Sequence, residues 1–167
     1  AFAHGVASTV YYAVKDAVGV PEQLLARLED AHNKAVYRDL MREEEEKRVF
    51  EAFDKADINY LPLKGSVLRL YYPVGDMRVM GDTDLMIEKF ARKEARAVME
   101  SCGYTFEQSK SGHDIYCNDN GNVYELHYMP EDKSVFHQKL MERAIPVGNN
   151  GTRLSLNHSD FYLYMIS

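Results

Sequence analysis

Cysteine is scarce in this chain: Cys102 and Cys117 are the only two. Their number and separation give neither a disulfide framework nor a zinc-ligand spacing. Each stands among apolar residues, so free, buried thiols in a reducing cytosol are expected, and with them a cytoplasmic location. Long apolar runs are lacking as well. None approaches the roughly 20 residues needed to cross a bilayer, so no membrane partner is expected. The opening Ala1-Phe2-Ala3-His4-Gly5 has no basic stretch of the signal-peptide kind. It has no initiating Met, and the end, Phe161 to Ser167, stops inside an amphipathic pattern. Both ends are therefore expected to be boundaries within a longer protein. A surplus of positive charge is missing too. The formal net charge is −6, whereas tight non-specific binding of nucleic acid needs a basic surface. Nucleic acid is not an expected partner. Internal repeats and low-complexity linkers are also absent. What remains is a 167-residue chain with 46% apolar residues, enough to bury a core in one domain with a helical extension.

The chain reads as helical to about Asp57. Pro21 with Glu22 suits a helix start. Leu24, Leu25, Leu28, Ala31, Ala35, Val36 and Leu40 recur at steps of three and four, which is one helical face. The run Glu43 to Glu46 followed by Lys47 and Arg48 reads as a solvated face with i,i+4 pairs. Val49, Phe50, Phe53 and Ala56 resume the buried stripe. Strands then alternate with helices. Ile58–Leu63 reads as a strand, Ser66–Tyr71 as a short helix, Thr83–Ile87 as a strand and Ala91–Cys102 as a helix ended by Gly103. Tyr104–Glu107, His113–Cys117 and Val123–Tyr128 read as strands, the last entered through the Asn120-Gly121 turn. A helix near Lys133–Glu142, a turn around Asn149-Asn150-Gly151 and a last helix from Ser159-Asp160 complete the reading. The expected fold class is α+β: a mixed sheet flanked by helices, with an N-terminal helical segment.

Chemistry concentrates in Asp82-Thr83-Asp84. On a strand, residues i and i+2 share a face, so both carboxylates point the same way. Ionised carboxylates side by side repel unless a cation stands between them. Hard oxygen donors suit Mg2+. Glu125 lies between Tyr124 and Leu126 on another half-buried strand and supplies a third acid. Upstream, Gly65 permits a close backbone approach to phosphate, and Ser66 offers a hydroxyl to a phosphate oxygen. His127 shares the face of Glu125, where contact with a metal or acceptor and a purely structural role both fit. His113 reads as structural or exposed.

The string Leu63-Lys64-Gly65-Ser66-Val67-Leu68, Tyr71-Tyr72-Pro73, Arg78, Asp82-Thr83-Asp84-Leu85, Gly103-Tyr104, Glu125-Leu126-His127 resembles the DNA polymerase beta-like nucleotidyltransferase superfamily. Within it, the string is similar to a family of largely uncharacterised bacterial nucleotidyltransferases. The resemblance implies an N-terminal helical segment (1–47), a nucleotidyltransferase core (48–150) and the start of a C-terminal region (151–167). It implies that Asp82 and Asp84 bind two Mg2+ ions, and that Glu125 helps bind one and orients or deprotonates the acceptor. Lys64 and Arg78 join Gly65 and Ser66 as nucleotide-binding residues. The implied activity is magnesium-dependent transfer of a nucleoside monophosphate from a triphosphate, such as ATP, to a hydroxyl-bearing small molecule or protein. A catalytically idle nucleotide- or metal-binding module is the alternative, and RNA nucleotide addition a weaker one. Two departures from the superfamily stand out. The gap between Gly65-Ser66 and Asp82 is long, and the third acid is Glu where Asp is more frequent.

Overall fold

The computed structural model describes residues 2, 5–110, 112–128, 136, 139–148 and 151–166. The chain is α+β and divides into two compact units. One comprises Ala1–Glu45 and Val67–Met80, the other Glu46–Ser66 and Gly81–Ser167. Among the described residues no helix is long and apolar enough to cross a membrane.

The first unit contains helix α1 (Ala7–Val14) and most of α2 (Glu22–Lys55). The expected single helical region is thus two helices. Pro21 opens the second, its carbonyl accepting from the Leu24 and Leu25 amides. The apolar stripe of α2 is buried at Leu28 and Ala35, while Leu24 and Leu40 remain 41% and 58% exposed. A buried polar knot ties the unit together. Asp76, on a 3-10 turn (Gly75–Met77), accepts hydrogen bonds from Ser8 and from the Tyr12 hydroxyl. His32 stacks on Tyr11 and places Nδ1 2.9 Å from the Ser8 hydroxyl. Gly75 leaves room here for the Asp39 carboxylate. A Cβ at this position would fall 2.2 Å from Asp39 Oδ2, and Asp39 faces Arg69 at 3.3 Å.

In the second unit α2 ends on a left-handed residue, Asp57 (φ 54°), and the Ile58 amide reaches back to the Phe53 carbonyl. This closing arrangement satisfies end carbonyls and brings two apolar side chains together. Ile58 and Phe53 are both buried in the same cluster. The chain then enters strand β1 (Tyr60–Pro62), and α3 (Lys64–Leu68) follows. Next come β2 (Asp82–Ile87), α4 (Arg92–Ser101), β3 (Thr105–Lys110), β4 (His113–Cys117) and β5 (Val123–His127). The sheet order is β1-β2-β5-β4-β3; β2 and β5 are parallel and the other neighbours antiparallel. Pro62 is tolerated because β1 is an edge strand. Beyond β5, α5 (Leu140–Arg143), the short pair β6 (Ile145–Pro146) and β7 (Leu154–Ser155), and α6 (His158–Ile166) complete the unit. Residues 133–135, 137 and 138 of the expected Lys133–Glu142 helix, and Asn149 and Asn150 of the expected turn, lie outside the described residues.

Alternation along the strands gives the sheet two different faces. One carries Leu85, Ile87, Tyr116, Tyr124 and Leu126, covered by Val49 and Phe53 of α2 and by Ala95, Val98 and Met99 of α4. Burying each large apolar side chain stabilises the fold by about 1.5–3 kcal/mol. α4 ends on Gly103 (φ 78°), and Tyr104 returns its amide to the Met99 carbonyl and its ring to this core. The other face carries a smaller cluster of Leu61, Leu63, Met86, Leu140 and Leu154. It also carries the polar side chains described next. Both cysteines are free; Cys102 is buried and Cys117 only partly so.

Candidate active site

The parallel β2–β5 register sets Asp84 beside Glu125 and Met86 beside His127. The antiparallel β4–β5 register sets His113 beside His127. Laterally paired residues share a face. Asp84, Glu125, His127 and His113 therefore stand together on the face opposite Tyr124 and Leu126. Asp82 shares that face through the two-residue period, opens β2 opposite Val123 and is exposed.

One donor atom from each of Asp84, Glu125 and His127 lies within 4.8 Å of the others. His127 Nε2 is 2.9 Å from Asp84 Oδ1 and 3.5 Å from Glu125 Oε2. The carboxylate of Asp82 is not part of that group. His113 Nε2 is 3.8 Å from Glu125 Oε2, and the His113 and His127 ring centres are 4.9 Å apart. His113, read from sequence as structural or exposed, is buried and faces Glu125. Two carboxylates and an imidazole this close form a donor set that suits a divalent cation.

Lys64 also reaches this cluster. Its ammonium donates to Asp84 Oδ1 at 2.9 Å. Burial alone would push the Asp84 carboxyl upward; hydrogen bonds from His127 and Lys64, with their charges, outweigh it and hold the group below its ordinary value. Asp84 is thus strongly biased to the ionised form a metal ligand needs.

The segment proposed from sequence to hold phosphate begins where β1 ends. The Leu63 amide donates to the Asp84 carbonyl, which fixes this segment against β2. Lys64 then takes a left-handed backbone conformation, φ 42°. Gly65 and Ser66 follow in α3, five residues long and continued by a 3-10 turn (Arg69–Tyr71). The Ser66 hydroxyl donates to Glu46 Oε1 at 2.9 Å. Glu46 is therefore drawn inward from what the sequence suggests is a solvated acidic face, and Glu43 of the same run lies 3.7 Å from Arg69 in the first unit. Arg78 belongs to the first unit, and its Nε is buried with no hydrogen-bond partner among the described residues.

Lys64, Asp84, Glu125 and His127 are brought together, with Gly65 and Ser66 adjoining Lys64 in sequence. The part played by Glu46 leaves no signal in the sequence, because it depends on which side chain α2 meets. His127 has a signal, its two-residue spacing from Glu125. The sequence model of the uncharacterised nucleotidyltransferase family matches residues 1–167. The chain belongs to that family. No curated protein and no solved structure matches it. For a nucleotidyltransferase, the general chemistry is nucleotidyl transfer from a nucleoside triphosphate, and the carboxylate–imidazole cluster is where a divalent ion fits.

Proposed function

We propose that the protein transfers a nucleoside monophosphate from a nucleoside triphosphate to a hydroxyl group on a small molecule or a protein, in a reaction that depends on magnesium. The observation that carries this reading is the pairing of Asp84 with Glu125 on adjacent parallel strands, in a chain of nucleotidyltransferase family. Asp82, Asp84 and Glu125 are the proposed ligands of two such ions. When bound, such ions stabilise charge on the attacking and leaving oxygens of the transferring phosphate.

The remaining roles fall to the chain's own groups. Asp84, held ionised by its donors, keeps its charge through the working pH range. Glu125 is less enclosed, with 20% of its side chain exposed, and is the proposed group to orient or deprotonate the acceptor hydroxyl. Lys64 and Ser66 bind phosphate oxygens, and Gly65 lets the backbone approach them. For these contacts Ser66 exchanges its hydrogen bond to Glu46 for one to phosphate.

The test is release of pyrophosphate from each of the four ribonucleoside triphosphates with Mg2+, using a cell extract as the pool of acceptors, for the wild type and Asp84→Asn. Activity in the wild type that the variant lacks supports the reading. A folded wild type that releases no more pyrophosphate than Asp84→Asn with any nucleotide, and labels nothing in fractionated lysate, replaces it with an idle binding module.

A further inference from the structure

We propose that His127 is itself a nitrogen ligand at this centre, and that the centre consequently favours a first-row transition ion such as Mn2+ over Mg2+. The inference rests on the reading that this face of the sheet holds a metal. It adds the class of ion and one ligand that the acidic motif does not contain.

The first argument is geometric. Ligands about 2.1 Å from an octahedral ion stand about 3 Å apart at right angles. His127 Nε2 lies 2.9 Å from Asp84 Oδ1 and 3.5 Å from Glu125 Oε2. The imidazole turns this nitrogen toward both carboxylates; the hydrogen it donates to Asp84 leaves Nε2 when an ion binds, and the neutral ring keeps its hydrogen on Nδ1. Its side chain is 4% exposed, so it cannot swing into solvent and leave the carboxylates to an all-oxygen site. The second argument is chemical. Imidazole is a softer donor than carboxylate or water, and mixed nitrogen–oxygen sites gain affinity along the first-row series, whereas Mg2+ keeps oxygen ligands and several waters. The third comes from the neighbouring ring. His113 is buried against His127 and turns its Nε2 to within 3.8 Å of Glu125 Oε2, so a second, buried imidazole flanks the carboxylate that His127 faces.

Mn2+ is a probe that reports its own ligands. In pulsed electron paramagnetic resonance on the wild-type protein, bound Mn2+ should show nitrogen coupling, and that coupling should change when histidine alone is labelled with 15N. This measurement needs no variant, so misfolding cannot mimic failure. In calorimetry, Mn2+ should bind about tenfold or more tightly than Mg2+. His127→Gln should abolish the coupling and remove most of that preference, while His113→Gln should keep the coupling. Mn2+ bound without histidine coupling overturns this inference and leaves Asp84 and Glu125 as an all-oxygen site. Failure of both Mn2+ and Mg2+ to bind overturns the inference together with the metal-dependent reading.

Discussion

Glu125 stands directly beside Asp84 across the parallel β2–β5 pair. Removing one of these charges separates catalysis from folding. Asp84→Asn keeps the shape but loses the charge on which a metal and Lys64 both depend. Turnover is expected to fall by at least about a hundredfold. The fold should lose about 1–3 kcal/mol, because Asp84 is a buried acceptor of two side-chain hydrogen bonds. Sequence alone suggests relief of carboxylate repulsion on this substitution; the Lys64 and His127 contacts reverse that sign. Pyrophosphate release and urea denaturation measure the two effects.

Ser66 tests the phosphate segment. Ser66→Ala should weaken triphosphate binding about tenfold in the presence of Mg2+, measured by calorimetry. Glu46→Gln is the companion variant. If the hydroxyl serves only to hold Glu46, both variants lose stability and neither changes affinity, which would end the phosphate role.

Acid sensitivity should be visible on the opposite face of the sheet. Asp114 is 1% exposed, accepts both Nε and Nη2 of Arg92 at 2.7 Å, and accepts the Ser109 hydroxyl. Burial pushes its carboxyl up, but the hydrogen bonds from Arg92 and Ser109 prevail and hold it below the ordinary value. A carboxyl depressed in the folded state contributes stability that is complete above its unfolded value, about 3.9, and is lost as pH falls through the lower folded value. Asp114→Asn should therefore cost about 1–3 kcal/mol at neutral pH. The gap from wild type should narrow as the pH drops below about 4. Denaturation curves from neutral to acid pH provide the check.

The core prediction is simpler. Phe53 has 0% exposure, packs on Tyr60 with ring centres 5.5 Å apart, and accepts the Ile58 amide at the end of α2. Phe53→Ala should destabilise the protein by about 3–5 kcal/mol, seen as a lower Tm. Nucleotide chemistry in the fraction still folded should be unchanged.

Much of the fold is legible in local patterns. Alternation marks β2 and β5 because each presents one apolar face to the core. Gly103 marks the end of α4 because its φ is positive. The α+β class follows from these elements. Partner choice is where local reading runs out. Periodicity identifies the stripe on α2 but not what covers it, so Leu24 and Leu40 read as buried and are exposed. A glutamate run reads as solvent-facing until Ser66 meets Glu46. The lateral pairing of His113 with His127 depends on the β4–β5 register, which neither strand declares by itself. The shared face of Asp82 and Asp84 is legible because it needs only the strand period. The approach of Lys64 to Asp84 is not, since it depends on how the chain turns out of β1.

Strand order also bears on when the donor cluster can exist. β3, β4 and β5 follow one another and pair with their sequence neighbours. β2 reaches β5 only across a helix and two strands, and Asp84 and His127 are 43 residues apart. Contacts over such separations form more slowly than hairpins, because loop closure must come first. The β3–β4–β5 meander can therefore assemble early, while Asp84 meets Glu125 and His127 only when β2 docks. The capacity to hold an ion arrives with that strand, so a partly folded chain in which β2 has not docked carries the same acids without a place for the metal.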